Sequence, residues 1–179
     1  MSDKETLREK LKIKRRYFQY SRREMADLAI LENFLAAFST YDSFFIYNSF
    51  SSEADTKGII NALKSLNKRI YLPRVEGDFM VTAPIGDIKA GSFGIEEPLA
   101  PAYEGDIEVT VIPLLAVNGK GYRIGYGKGY YDRYLKDKHT LKIGLGYSFQ
   151  IEDFKADEWD IPLDMFVCEK GIYYYGIDK

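Results

Sequence analysis

Val109-Thr110-Val111-Ile112-Pro113-Leu114-Leu115-Ala116-Val117 leads through a short connector into Arg123-Ile124-Gly125-Tyr126-Gly127-Lys128-Gly129-Tyr130-Tyr131-Asp132. The first run is continuous and apolar, the mark of a buried strand. The second sets three glycines around one lysine and passes at once into a helix-like segment with an aspartate in its first turn. Strand, glycine loop and helix start is how an α/β protein builds a phosphate site. Glycines let backbone N–H groups approach the anion, and a helix N-terminus adds partial positive charge. Lys128 brings a mobile full charge. A plain glycine turn with a solvated Lys128 is the alternative, but the flanking strand and helix supply the context that a phosphate or nucleotide site requires.

The loop is not a Walker A, because no Gly-Lys-Ser or Gly-Lys-Thr occurs. It is not a dinucleotide fingerprint either, since Tyr130-Tyr131-Asp132 stands where a third glycine belongs. If a metal-bound triphosphate sits here, Asp132 is a candidate ligand, Mg²⁺ taking only one or two carboxylates from protein. Its other reading is a first-turn acid that favours the helix dipole.

Outward from this loop, apolar periodicity predicts a helix over 4–19 and a second opening at the capping-box pattern Ser21-Arg22-Arg23-Glu24, with Met25, Leu28, Ala29, Leu31, Leu35 and Phe38 inward. Strands follow at 44–47, at 69–73 (ended by Pro73) and at 79–83, with a helix from Asp55-Thr56 between the first two. A connector, Gly91-Ser92-Phe93-Gly94-Ile95-Glu96-Glu97-Pro98, precedes one long strand to Val117. A short helix through about Lys136 and strands at 142–147, 165–168 and 172–175 complete the chain. Strands alternating with helices indicate an α/β fold with a largely parallel sheet. Ligands then sit beyond the carboxyl ends of the strands, so the loops after Tyr47, Pro73 and Val117 are expected to bring Glu53, Arg74 and Lys128 to one rim.

Length and composition (179 residues, 46% apolar, 29% charged) fit one globular domain over 1–179. No apolar run reaches the roughly 20 residues of a membrane helix, and Met1-Ser2-Asp3-Lys4-Glu5 opens no signal region. The single Cys168 excludes an intrachain disulfide and suits a cytoplasmic setting. With one Cys and one His (His139), zinc sites and His-dependent triads are excluded. Chemistry must come from carboxylates, lysines, arginines, a metal, or a substrate's own nucleophile. Net charge is −2, yet residues 1–23 hold nine Lys/Arg against Asp3, Glu5 and Glu9. Such a basic segment binds nucleic acid in some proteins and lines an anionic-ligand pocket in others.

Taken together, Lys4-x-x-Leu7-Arg8, Glu53-x-Asp55-Thr56, Leu72-Pro73-Arg74, Phe93-Gly94-Ile95-x-Glu97-Pro98, Arg123 to Asp132 and Asp160-x-x-x-Asp164 resemble the 5-formyltetrahydrofolate cyclo-ligase family over nearly the whole chain. The resemblance implies a three-layer α/β/α sandwich like that of ribose-phosphate isomerases and CoA transferases. It implies an ATP- and Mg²⁺-dependent ring closure of 5-formyltetrahydrofolate through a phosphorylated formyl group, with no nucleic acid, membrane or obligatory protein partner. It further implies that Lys4 and Arg8 reach ATP, and that Arg123, Ile124, Gly125, Tyr126, Gly127, Lys128, Gly129, Tyr130 and Tyr131 wrap its phosphates, Arg123 and Lys128 acting as catalytic cations. Asp132 and Asp164 match the Mg²⁺ positions, and Glu53 and Asn48 the folate contacts. Arg74 is expected to bind phosphate or the folate glutamate. The chain departs from the family pattern at Asn118 and Ser52, where acids are usual, and at Trp159, where His is common. A sugar-phosphate or CoA-linked enzyme on the same fold, or a nucleic-acid-binding module, are the competing readings.

Overall fold

The computed structural model describes residues 3–91 and 94–176. Met1 and Ser2 of the N-terminal stretch, and Ser92 and Phe93 of the expected connector, lie outside the described residues. Seven strands form the central sheet: β1 (Ser43–Ile46), β2 (Arg69–Glu76), β3 (Phe79–Pro84), β6 (Val109–Pro113), β9 (Leu141–Leu145), β10 (Met165–Cys168) and β11 (Gly171–Tyr174). Their order is β11-β10-β9-β6-β1-β2-β3. The five inner strands run parallel, and the two edges, β3 and β11, pair antiparallel with their neighbours.

Inner strands buried on both faces explain their unbroken apolar runs. Phe44, Ile46, Ile70, Leu72, Val109 and Val111 face one way, and helices α2 (Tyr20–Phe38) and α3 (Lys57–Ser65) cover them. The alternate residues Phe45, Tyr71, Ile112 and Phe166 face the other way, where α4 (Tyr130–Leu135) lends Leu135, Tyr131 and Tyr134. This is the expected three-layer α/β/α arrangement.

Several local expectations are corrected. The second helix starts at Tyr20 without a side-chain cap, not at a Ser21 capping box. Its buried stripe is Ala26, Ile30, Phe34 and Phe38, while Met25 and Leu28 are 75% and 56% exposed. Spacing by four turns the stripe away from both. β2 does not end at Pro73 but continues to Glu76 in a hairpin with β3. Pairing with β1 stops at Tyr71, so no neighbour on that side calls for the N–H that Pro73 lacks. The long strand to Val117 divides. β6 leaves the sheet at Pro113, and β7 (Ala116–Val117) forms a separate ribbon with β8 (Arg123–Ile124). The connector carries a second ribbon, β4 (Ile88–Ala90) with β5 (Glu96–Pro98). Among the described residues no helix is long and apolar enough to cross a membrane.

Candidate active site

A cleft of about 1120 Å³ opens at the carboxyl ends of the parallel strands, between the N-terminal helix α1 (Asp3–Arg16), the loop after β1 and the glycine loop after β8. Nine Lys/Arg and five Asp/Glu line it, so it favours anions. Lys4, Arg8, Asn48, Glu53 and the whole segment Arg123–Asp132 share its wall. The expected meeting of Glu53 with Lys128 at one rim is present.

The glycine loop takes its shape from backbone angles that side chains resist. Gly127 and Gly129 sit at φ +89° and +67°, where an L-residue costs about 1–2 kcal/mol. A Cβ on Gly129 would also lie 2.8 Å from Arg133 Nη1. The six-residue α4 that follows is too short to contribute much dipole, so cations and loop amides dominate. Arg8 fixes the loop from α1 by donating from Nε to the Gly125 carbonyl at 3.0 Å. Arg123, only 7% exposed, donates to the Ile161 carbonyl (3.0 Å) and to Asp132 Oδ1 (2.9 Å). That bond holds the Asp132 carboxylate at the cleft wall. The Lys128 side chain is exposed and has no hydrogen bond or ion pair among the described residues.

Lys4 Nζ donates to Asp157 Oδ2 (2.6 Å) and Asp160 Oδ2 (2.8 Å). Burial pulls its pKa down, but the two carboxylates outweigh burial and leave it raised. Glu53 is half-buried, and its carboxylate is held from two sides: Tyr126 donates its hydroxyl to Oε1 (2.6 Å) and the Phe50 N–H donates to Oε2 (2.9 Å). Burial first, then the Glu53 charge, pushes the Tyr126 phenol far up, and the same causes raise Tyr131 and Tyr47. These tyrosines stay protonated and serve as donors and apolar walls.

Sequence reasoning missed Arg15. It is 5% exposed and joins three elements, donating to Ser52 Oγ (3.0 Å), the Leu114 carbonyl (3.3 Å) and Tyr126 Oη (2.7 Å). The available signal was spacing: Lys4, Arg8 and Arg15 recur on one side of α1. Ser52 accepts one of these bonds. Asn118 accepts from the Lys120 and Tyr122 N–H groups and donates to the Phe154 carbonyl, a donation no carboxylate could make. It braces the β7–β8 hairpin. Trp159 is exposed at the cleft mouth.

Two expected site residues stand apart. Arg74 does not line the cleft. Its guanidinium bonds Glu76 and the carbonyls of Pro98 and Ala100, tying the β4–β5 ribbon to β2. Asp164 lies at the start of β10, the amino-terminal edge of the sheet, where it accepts from Lys142 N–H (2.7 Å) and pairs with Lys142 Nζ (2.9 Å). It is therefore not brought together with Asp132. Asp160, four residues earlier, lines the cleft instead.

A family model described as the 5-formyltetrahydrofolate cyclo-ligase family matches residues 1–169. The 5-formyltetrahydrofolate cyclo-ligase of Haemophilus influenzae is 37% identical over 134 residues, 66% of this chain and 71% of that protein. The enzyme of that name from Mycoplasma genitalium is 54% identical over 65 residues, 35% of this chain and 39% of that protein. In three dimensions the chain is similar to the solution structure of Aquifex aeolicus 5,10-methenyltetrahydrofolate synthetase, with a TM-score of 0.86 and 31% identity, covering 98% of this chain and 94% of that one.

Proposed function

This chain belongs to the 5-formyltetrahydrofolate cyclo-ligase family, and from that premise we propose that it converts 5-formyltetrahydrofolate to 5,10-methenyltetrahydrofolate at the expense of ATP. The observation that carries the nucleotide half is Lys128. An exposed ammonium without a partner among the described residues, on a glycine bend in a cationic cleft, suits a phosphoryl group arriving with its own charge.

In this reading the formyl oxygen attacks the γ-phosphorus, the bond to the bridging oxygen breaks and ADP leaves. The carbon, now bearing a phosphate leaving group, is attacked by the folate's N10. The carbon–oxygen bond then breaks, phosphate departs and N10 loses its proton. Substrate atoms supply both nucleophiles, which suits a chain whose Cys168 is buried with its thiol pushed up by burial, and whose His139 is outside the cleft. The protein contributes position and charge. Arg8 and Arg123 shape the loop, the loop amides and Lys128 face the phosphates, and Glu53 accepts hydrogen bonds from the pterin, with Asn48 beside it. Five cations of the basic segment, Lys4, Arg8, Lys12, Arg15 and Arg16, line this cleft.

Among the described residues no three His, Cys, Asp or Glu gather into a metal cage. Mg²⁺ borne by a triphosphate asks for less, one or two carboxylates with phosphate and water completing the shell. Asp132, paired with Arg123, and Asp160, paired with Lys4, both line the cleft, and we assign the ion to them. The ion would supply charge neutralisation on the phosphates.

The test is growth of the methenyltetrahydrofolate absorbance from 5-formyltetrahydrofolate. It is expected only with ATP and is expected to stop with EDTA. Equal rates without nucleotide would refute the ATP-driven step, and no growth even with ATP would refute the folate reading and favour a sugar-phosphate or CoA-linked chemistry on this fold.

A further inference from the structure

Behind the Glu53 loop, outside the cleft, lies a charged network that the reaction above does not use. Arg23 and Asp27 are four residues apart on α2 and so share a face. Arg23 Nη2 donates to two carbonyls of the loop, Ser51 (3.0 Å) and Glu53 (2.9 Å). Its Nε donates to Tyr147 Oη (3.1 Å), which in turn donates to Asp27 Oδ1 (2.8 Å). The same Asp27 oxygen accepts the Asp55 N–H at 3.1 Å, just beyond Glu53. The Tyr147 ring is fully buried and packed against Phe18 and Phe149, so the network has a rigid base.

The loop it grips is strained. Ser51 sits at φ +55°, a left-handed angle that a serine adopts at a cost. Strained backbone of this kind persists only where its surroundings over-determine it, and it gathers at working sites. Arg23 bonds the carbonyl of that very residue. Stability alone is a poor reason to keep a half-buried Arg–Tyr–Asp set, since apolar side chains of similar volume are often as stable. What a guanidinium fork adds is direction, because its Nη2 holds both carbonyls while its Nε is set by Tyr147. Fixing the backbone at Ser51 and Glu53 aims the Glu53 carboxylate at the cleft.

We propose that Arg23, braced by Tyr147 and Asp27, is a positioning residue that pre-sets the Glu53 carboxylate for the reduced pterin and leaves the nucleotide side untouched. The inference rests on the folate reading of Glu53. It predicts a split between the two substrates. Arg23→Ala raises KM for 5-formyltetrahydrofolate about tenfold, the worth of one charge-assisted bond, with KM for ATP within about twofold and kcat nearly unchanged. Arg23→Lys, which keeps the charge and loses the fork, falls between. Tyr147→Phe repeats the direction with a smaller effect and covers the case in which Arg23→Ala does not fold.

Glu53→Gln in the same assay separates two failures. If it leaves the folate KM unchanged, the folate reading of Glu53 is wrong and the inference falls with it. If it raises that KM while folded Arg23 and Tyr147 variants do not, the clamp is refuted and the site reading stands. A parallel rise in both KM values for Arg23→Ala would also refute the clamp, marking general loosening instead of positioning.

Discussion

The two walls of the cleft are built on opposite plans. On the glycine-loop side the key cation, Lys128, is exposed and without a partner among the described residues. On the Glu53 side the carboxylate accepts from Tyr126 and the Phe50 N–H, and its backbone is gripped by Arg23. A phosphate is a nearly spherical polyanion, and a mobile charge finds it in many orientations. A pterin edge presents directional N–H groups, so its acceptor has to be aimed beforehand. The loose wall suits the group that is transferred, and the fixed wall suits the molecule that receives it.

Lys128→Ala is the harshest test of the loose wall. We expect kcat to fall about 10²–10³-fold, the scale of losing one group that stabilises transition-state charge, with an unchanged circular dichroism spectrum. Near-normal turnover would mean that the free cation is only solvated. Asp132→Asn and Asp160→Asn should also lose turnover, recoverable in part by raised Mg²⁺. Tyr126→Phe tests the join between the walls, because Tyr126 belongs to the glycine loop yet donates to Glu53. Both KM values should rise about tenfold or more, each such bond being worth about 1.5–3 kcal/mol when charged. A change in one KM alone would separate the walls. Gly127→Ala should cost about 1–2 kcal/mol of stability, read as a lower denaturant midpoint, together with weaker ATP binding. The smallest effect belongs to Asp164→Asn at the far edge. Its partly exposed bridge to Lys142 is worth about 0–1 kcal/mol, so turnover should be unaltered. A large loss would place Asp164 in the metal site after all.

Much of this was legible in the chain. Alternating strands and helices announce a parallel sheet, and such sheets bind ligands at their carboxyl ends, which is why Glu53 and Lys128 meet. What stayed hidden depended on partners distant in sequence. Arg15 looks like any of the nine basic residues before position 24, and only its bonds to Ser52, Leu114 and Tyr126 mark it out. Arg74 was expected in a loop after Pro73, but β2 runs on through it, and the β4–β5 ribbon, invisible as a pattern, consumes its guanidinium. Asp164 and Asp160 differ by four residues of extended chain, enough to run from the cleft to the opposite edge of the sheet, and no local signal distinguishes them. The break at Pro113 was missed because the apolar run does not change there, although the chain leaves the sheet.

Phosphoryl transfer onto the folate is most directly tested with 5-formyltetrahydrofolate labelled with oxygen-18 in the formyl group. In a single turnover with ATP, the released phosphate should carry the label, one atom for each methenyl product formed. Unlabelled phosphate, or product formed with no ADP, would contradict the account.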